Sequence, residues 1–328
     1  MRRTYHKDNP EEFQLIREPA HIKTVTEKLQ AGLGSYFAKL LKKAPVLEMA
    51  RTLSSRFKVS VVDNDAMSTV KSYFEGAVER FEKDRVPYVK LFQSSHMESY
   101  RENPSHFRVK LASKCPVIHN TLHSDAEELH EWKMRFAQTA SQELADIFAN
   151  LIGFADAYVE STDRHDFAKF DKLSAFEFSN IDDDEDYQIP GVIGMGIKSA
   201  VLYHLDPTVF PRRGRYDLYA LYFLTGQDTF GMPSDTSEFL MINDHIHVGN
   251  KNLKVEHNFW YPYDLFSLYE IRIFRWLQSE CSRQGVSLDP DYRYVYVAAF
   301  NDHVCDMESE SVRVMMGAGQ DDGTEFYL

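Results

Sequence analysis

The chain has 328 residues, of which 43% are hydrophobic and 13% aromatic. This composition excludes a disordered or fibrous protein and is compatible with one large domain or two modest ones. The formal net charge of -13 at pH 7 argues against a protein that is basic over its whole surface, as most nucleic-acid binders are.

The charge is unevenly distributed along the chain. Residues 1–60 contain 12 Lys and Arg against 6 Asp and Glu, whereas the remainder contains 25 against 44. A global negative charge weakens long-range attraction to DNA, but it does not exclude a local basic contact surface.

The N-terminal third is predicted to be mainly helical. Residues 22–57 indicate short helices that break near Gly32–Gly34 and at Pro45. Apolar residues at helical spacing predict one amphipathic helix over 66–85. The next segment, 84–123, contains several prolines and serines and alternates apolar with polar residues at "HFRVKLAS", so a strand or loop is predicted there.

The rest of the chain is predicted to be helical with few strands. Ser124 and Glu127 have the spacing of a capping box, and the apolar stripe from Leu129 to Leu151 predicts one long helix. Residues 161–188 are acidic and aperiodic, which indicates a loop with a short helix. A β-hairpin is predicted about Gly249–Asn250. Further helices are predicted over 195–207, 216–226 and 261–285. Residues 289–300 could form a strand by residue type, but their Asp-Pro start favours a helix.

These elements predict a mostly α protein with minor β elements. We expect a mainly helical N-terminal region at 1–115 that is basic at its start, a helical domain at 116–310, and a tail at 311–328.

A glycine-rich stretch, "IGMGIKSA" at 193–200, stands at the start of a predicted helix. A phosphate-binding P-loop would need Gly directly before the Lys, and here Ile197 intervenes. The preceding run "DDDED" at 182–186 is acidic instead of an apolar strand, and it would repel a triphosphate. A P-loop is therefore excluded.

The same stretch resembles the hairpin of the helix-hairpin-helix DNA glycosylases, whose endonuclease III branch has the pattern PGVGxK[ST]A. Gly194 and Gly196 occupy its two glycines, "KSA" at 198–200 matches its Lys-Thr-Ala, and Ile193 replaces its Pro. The resemblance is strong over 188–226, and the surrounding helices are compatible only in type. It implies a glycosylase-like helical bundle in which the hairpin backbone binds a DNA phosphate without reading bases.

The resemblance also implies an aspartate near the start of the following helix. Asp217, 19 residues beyond Lys198, fits this position. A rival alignment through "HLDPTVFPRRGRYDLYAL" places the aspartate column on Gly214, and the acid would then be missing. We prefer the first alignment because it keeps both catalytic residue types.

The implied activity is that of a DNA glycosylase, with or without lyase activity, which removes a damaged or modified base from double-stranded DNA. The target nucleotide is flipped out, the Lys198 amine attacks the sugar, and Asp217 acts as acid/base or electrostatic partner. Nearby arginines would lower the pKa of the lysine. The residues predicted to contact the DNA backbone are Gly194, Gly196, Ser199, Arg212, Arg213 and Arg215.

Other interpretations remain open at this point. A lysine at a helix start is commonly a surface residue, and an aspartate before a helix is commonly an N-cap. A helix-hairpin-helix protein also binds DNA without chemistry in some cases. A third alternative is an acidic interaction protein that does not bind DNA.

No cofactor or metal is predicted. Three widely spaced cysteines cannot supply the four ligands of the iron–sulfur cluster that many endonuclease III relatives carry. His245, His247 and His257 could bind a metal from a strand, but an exposed hairpin is the preferred interpretation of this segment. The N-terminus lacks a signal peptide and no segment is apolar enough to span a membrane, so a cytoplasmic protein is expected.

Overall fold

The computed structural model describes residues 10–53, 66–163, 166, 169–243 and 254–315. Within these ranges the chain forms 14 α-helices, four short 3₁₀ turns and one two-stranded antiparallel sheet, which confirms the prediction of a mostly α protein. The helices are α1 (Pro10–Leu15), α2 (Pro19–Leu53), α3 (Ala66–Leu91), α4 (Ser94–Glu102), α5 (Pro104–Lys114), α6 (Pro116–His123), α7 (His130–Gln138), α8 (Ser141–Ser161), α9 (Ser179–Asp183), α10 (Met195–Leu205), α11 (Arg215–Leu224), α12 (Tyr263–Arg283), α13 (Arg293–Met307) and α14 (Ser309–Met315).

The chain divides into two compact units. The first contains the described residues of 1–80, 216–257 and 272–319, and within it α13 packs against α2 and α14. The second contains the described residues of 81–215 together with 258–271, and within it α8 packs against α4, α5 and α10. The contiguous boundaries expected after residues 115 and 310 stay a prediction.

Helix α2 continues without interruption through Gly32, Gly34 and Pro45, so the predicted breaks are wrong. Gly32 allows close packing of two helices and does not break α2. A Cβ at Gly32 would lie 2.0 Å from the carbonyl oxygen of Leu224, the last residue of α11 in the same unit. A helix that approaches another backbone this closely requires glycine, and its helical pattern of apolar residues outweighs the low helix propensity of glycine.

Gly32→Ala should therefore destabilise the first unit by about 1–3 kcal/mol or more, because the obstructing atom belongs to backbone and cannot rotate away. The matched control is Gly34→Ala, whose added Cβ would have Trp276 Cζ2 as its nearest neighbour at 4.0 Å. That variant should gain about 0.5–1 kcal/mol from helix propensity. Urea unfolding followed by circular dichroism measures both, and equal effects would refute the close-approach explanation.

The strand or loop predicted over 84–123 is also wrong, because this segment forms the end of α3 and helices α4 to α6. Helix α5 begins with Pro104 at its first position, and Asn103 Oδ1 accepts a hydrogen bond from the N–H of His106 at 3.3 Å. Phe107 and Leu111, four residues apart, are fully buried, whereas Val109 is 65% exposed. Two of the alternating apolar residues at "HFRVKLAS", Phe107 and Leu111, thus lie on the buried side of a helix, and Val109 lies on its exposed side.

The long helix predicted from Ser124 is interrupted. Ser124 Oγ accepts the N–H of Ala126 at 3.2 Å, so the predicted capping box with Glu127 is not formed. A 3₁₀ turn at Glu127–Leu129 leads into α7, and the chain is extended at Thr139 and Ala140 before α8. The Arg108 guanidinium donates to three carbonyls at the end of α7: Phe136 O at 2.6 Å, Ala137 O at 2.8 Å and Thr139 O.

The remaining predicted helices are confirmed as α10 to α13, and Gly226 and Gly285 follow helix ends with positive φ values of 70° and 75°. Strand β1 (Leu240–Asn243) pairs antiparallel with β2 (Lys254–His257). The predicted turn at Gly249–Asn250 lies outside the described residues. In the part of the chain that the structure describes, no helix is both long and apolar enough to cross a membrane.

Candidate functional site

The glycine-rich stretch lies in a tight hairpin between two helices of the second unit. Helix α9 and a 3₁₀ turn at Glu185–Tyr187 precede it. Ile189 and Ile193 then pair as an antiparallel bridge, with hydrogen bonds of 3.1 Å and 2.9 Å between their backbones. Helix α10 begins directly after Gly194. Residues 188–199, which we call the hairpin segment, therefore form a turn followed by a helix N-terminus.

The turn itself depends on a glycine that the sequence analysis did not single out. Gly191 has a φ of 73°, and the N–H of Val192 bonds to Ile189 O at 2.8 Å, as in a turn of type II. A Cβ at Gly191 would lie 2.5 Å from Arg135 Nη1. The dipeptide Pro190-Gly191 is the sequence signal for this turn.

The two glycines predicted to contact DNA have a different environment. Gly194 and Gly196 are exposed, their φ values are not in the left-handed region, and an added Cβ would have no atom within 4 Å. The described part of the fold therefore requires glycine at Gly191 and has room for a side chain at Gly194 and Gly196.

The N-terminus of α10 has the properties of an anion site. Gly194 is its N-cap and supplies no side-chain hydrogen bond. The N–H groups of Ile197 and Lys198 donate to Gly194 O at 3.1 Å. The N–H groups of Met195 and Gly196 come before them in the chain, in the first turn, where a helix offers no backbone acceptor of its own. The helix dipole places partial positive charge at the same end. Backbone groups in this arrangement bind phosphate or carboxylate.

Helix α7 holds the hairpin in place. Trp132 Nε1 donates to Val192 O at 2.8 Å, and Trp132 stacks on Phe136 with ring centroids 5.2 Å apart. Nearby in the same unit, Asn150 of α8 donates to Asp186 O at 3.0 Å. These supporting residues come from distant parts of the chain, and no local motif indicated them.

Lys198 is directed into the protein. Only 1% of the residue is exposed, and its Nζ donates to the carbonyl oxygen of Ile181 near the end of α9. A cation near a helix C-terminus is favourable because the dipole there is negative. In this conformation the ammonium group links α10 to α9, and a substrate would reach it only if this contact opened.

Asp182, the residue after Ile181, adds a carboxyl group to this region. It is half-buried, and its Oδ2 accepts the N–H of Tyr263 at 2.7 Å. The pKa of Asp182 is raised to about 7: burial and, to a smaller extent, the Asp264 carboxylate raise it, whereas Arg213, the Tyr263 N–H and Lys198 lower it. In the sequence Asp182 is only the first residue of an acidic run, and no local pattern distinguishes it from its neighbours.

Two predicted DNA contacts are buried and joined to each other. Ser199 Oγ accepts the N–H of Arg213 at 3.1 Å and donates to its carbonyl at 3.3 Å. Arg213 is 2% exposed, and its Nη2 donates to Asn258 O at 3.1 Å. These contacts give both side chains an internal role, whereas Arg212 and Arg215 are half-buried. A DNA contact by any of the four stays a prediction.

Asp217 lies in the first unit, in the first turn of α11, and is fully buried. Asn301 of α13 donates to its Oδ1 at 3.4 Å. Lys198 belongs to the second unit. The predicted pairing of Lys198 with Asp217 therefore stays a prediction, as does the rival register through Gly214.

Histidines and cysteines give no metal site among the described residues. The rings of His119 and His123 lie 4.1 Å apart, but the Nδ1 of each is hydrogen-bonded to a backbone carbonyl. His245 and His247 lie outside the described residues. Burial raises the pKa of the Cys115 and Cys281 thiols to about 12, so neither is a reactive thiolate near neutral pH.

The site thus consists of an open helix N-terminus with a group of ionisable residues behind it. We call this group, Lys198, Asp182, Arg213 and Asp264, the charged cluster. Its members come from four segments of the second unit. Compared with family models, with curated proteins and with solved structures, the chain gives no match.

Proposed function

We propose that this chain binds double-stranded DNA through the hairpin segment and removes a damaged or modified base from a flipped nucleotide. The observation that carries the proposal is the exposure of Gly194 and Gly196 at an uncapped helix N-terminus, in positions where the described fold leaves space for a side chain. A ligand that approaches the backbone closely explains glycine at both positions. A DNA phosphate is such a ligand.

The resemblance of residues 188–226 to helix-hairpin-helix DNA glycosylases supports the finer part of the proposal, a glycosylase-like bundle that acts on bases. In this proposal Lys198 is the nucleophile and Asp217 its acid/base or electrostatic partner. The shifted pKa of Asp182 beside Lys198 adds support, since perturbed ionisable groups are common at catalytic sites. Base removal requires Lys198 Nζ to leave the Ile181 carbonyl.

Borohydride trapping tests the chemistry. Wild-type protein incubated with duplexes that contain an abasic site or one of a panel of modified bases should give a covalent protein–DNA adduct, because borohydride reduces a Schiff base. Lys198→Ala should give none, whereas the control Lys172→Ala, which removes an exposed lysine of the same unit, should react like wild type. Adduct formation by Lys198→Ala would contradict the assigned nucleophile. A wild-type protein that releases bases without any adduct would be a glycosylase that lacks lyase activity.

A second function, DNA binding without chemistry, is favoured by the burial of Lys198 and its bond to Ile181. It predicts that the protein retains a duplex in a gel shift at low salt and that added salt weakens this binding, which depends on counterion release. Asp217→Asn should retain the duplex as well as the wild type does. Base release by the wild type would contradict it. No retention even at low salt would contradict both functions and favour an acidic interaction protein.

A further inference from the structure

The charged cluster contains a carboxyl group that neither the hairpin resemblance nor the Lys198–Asp217 pairing uses. Lys198 Nζ donates to the carbonyl of Ile181, and the carboxyl group of the very next residue, Asp182, is fixed by the Tyr263 N–H at 2.7 Å. The Lys198 charge acts on this carboxyl group. Tyr263 is the first residue of α12, so a second helix positions the acid relative to the amine.

We propose that Asp182 is the proton acceptor and donor for the Lys198 amine during attack on the sugar, and that Asp217 has the electrostatic role. This inference rests on the proposed function, because it concerns the same lysine chemistry. Asp182 exchanges protons with the reacting atoms and forms no covalent bond to the sugar, so its role is that of a general acid and base.

The proton steps balance for an abasic site, whose C1′ is an aldehyde carbon. The Asp182 carboxylate takes one proton from the Lys198 ammonium, and the amine lone pair then bonds to C1′ while the C=O π pair moves to oxygen. One proton passes from nitrogen to that oxygen. Asp182 returns its proton as the hydroxyl leaves as water, and the nitrogen lone pair forms the C=N bond of an iminium ion.

The surroundings of Asp182 suit this role. Arg213 and Lys198 oppose protonation of the carboxyl group, and burial and Asp264 favour it, so that its pKa is about 7. A proton acceptor titrating near the working pH gives general acid–base catalysis its largest effect. An ordinary exposed aspartate would be too weak a base for a lysine ammonium.

The test measures the rate of borohydride trapping by the full chain on a duplex with one abasic site, between pH 5 and pH 9. In the wild type this rate should rise with pH through about 7, where Asp182 ionises. Asp182→Asn should lose this rise and react about 100-fold more slowly at pH 8, as expected for loss of a general base. Asp186→Asn, which removes an exposed carboxylate four residues away, is the matched control and should keep the wild-type profile.

The outcomes separate this inference from the proposed function. A wild type that forms no adduct at any pH overturns the lyase chemistry and this inference with it. A wild type that reacts through Lys198, with an unchanged rate and profile in Asp182→Asn, overturns this inference alone. Loss of the pH-dependent rise in Asp217→Asn, with Asp182→Asn unaffected, would assign the proton transfer to Asp217 instead.

A second variant covers the case in which Asp182→Asn does not fold. Asp264→Asn leaves Asp182 in place and removes a charge that raises its pKa, so the rise in trapping rate should move to lower pH. The amide oxygen of Asn retains an acceptor for the Leu265 N–H, which Asp264 Oδ1 binds at 2.7 Å. An unshifted profile in Asp264→Asn would overturn the inference.

Discussion

Arg213→Met should lower the free energy of unfolding by about 3–5 kcal/mol at pH 8, because it removes one partner of a buried set of charges and leaves carboxylates behind. Arg213 is 2% exposed, and its guanidinium lowers the pKa of the half-buried Asp182. Methionine fills a similar volume, so that the lost charge and the lost hydrogen bond to Asn258 O dominate the effect.

The destabilisation caused by Arg213→Met should depend on pH. Without Arg213 the pKa of Asp182 rises above its value of about 7, and the folded state then binds a proton that the unfolded state, with an ordinary carboxyl group, does not. The destabilisation should therefore be larger at pH 8 than at pH 5, where Asp182 is already protonated in the wild type. Urea unfolding at the two pH values measures the difference.

Arg212→Met is the matched control, since Arg212 precedes Arg213 and is half-buried. Its effect on stability should be clearly smaller than that of Arg213→Met, because a half-buried arginine keeps more of its contact with solvent than a buried one. Equal effects of the two variants would contradict an internal role for Arg213. A small effect on stability together with a large loss of DNA binding in Arg213→Met would favour the original interpretation of this residue as a DNA contact.

Local signals in the sequence predicted those helices whose ends carry strong stop or start residues. Gly226 and Gly285 end α11 and α12 in the left-handed conformation, and the apolar faces of these helices are periodic. The strand predicted in α5 was wrong because a short run cannot separate period 2 from period 3.6, and the cap at Asn103 outweighed the alternation. The break predicted at Gly32 was wrong because a glycine needed for packing looks like a helix breaker in sequence.

The candidate site was predicted only in its local part. The turn, the start of α10 and Lys198 are adjacent in sequence, so the spacing of their residues predicts a hairpin followed by a helix. The charged cluster depends on the side chain of Lys198 reaching back to Ile181 and on the start of α12 meeting Asp182. Such contacts between distant segments arise from tertiary packing, which no residue pattern in a single sequence encodes.

The double variant Gly194→Ala/Gly196→Ala should bind duplex DNA at least about 10-fold more weakly while its free energy of unfolding changes by less than about 1 kcal/mol. A lost charge-assisted hydrogen bond to phosphate corresponds to about 1.5–3 kcal/mol, or roughly 10- to 100-fold in Kd. Both methyl groups would point into space that the described protein leaves open. Alanine at 196 adds about 0.5–1 kcal/mol of helix stability, whereas alanine at 194 is a poorer N-cap than glycine, so the two effects on stability oppose each other. A large loss of binding with little change in stability is hard to produce by damage to the fold.

Gly153→Ala provides the matched control, because Gly153 is an exposed glycine within α8 of the same unit and also has open space at its Cβ. It should stabilise the protein by about 0.5–1 kcal/mol and leave DNA binding unchanged. Fluorescence anisotropy with a labelled duplex at several salt concentrations measures both Kd and its salt dependence. Since the lost contact is made by neutral backbone N–H groups and no Lys or Arg charge is removed, the slope of log K against log salt should stay close to the wild-type value in the double variant. Wild-type affinity in the double variant would mean that the hairpin segment does not bind DNA, since the two methyl groups would then occupy the space proposed for the phosphate without consequence.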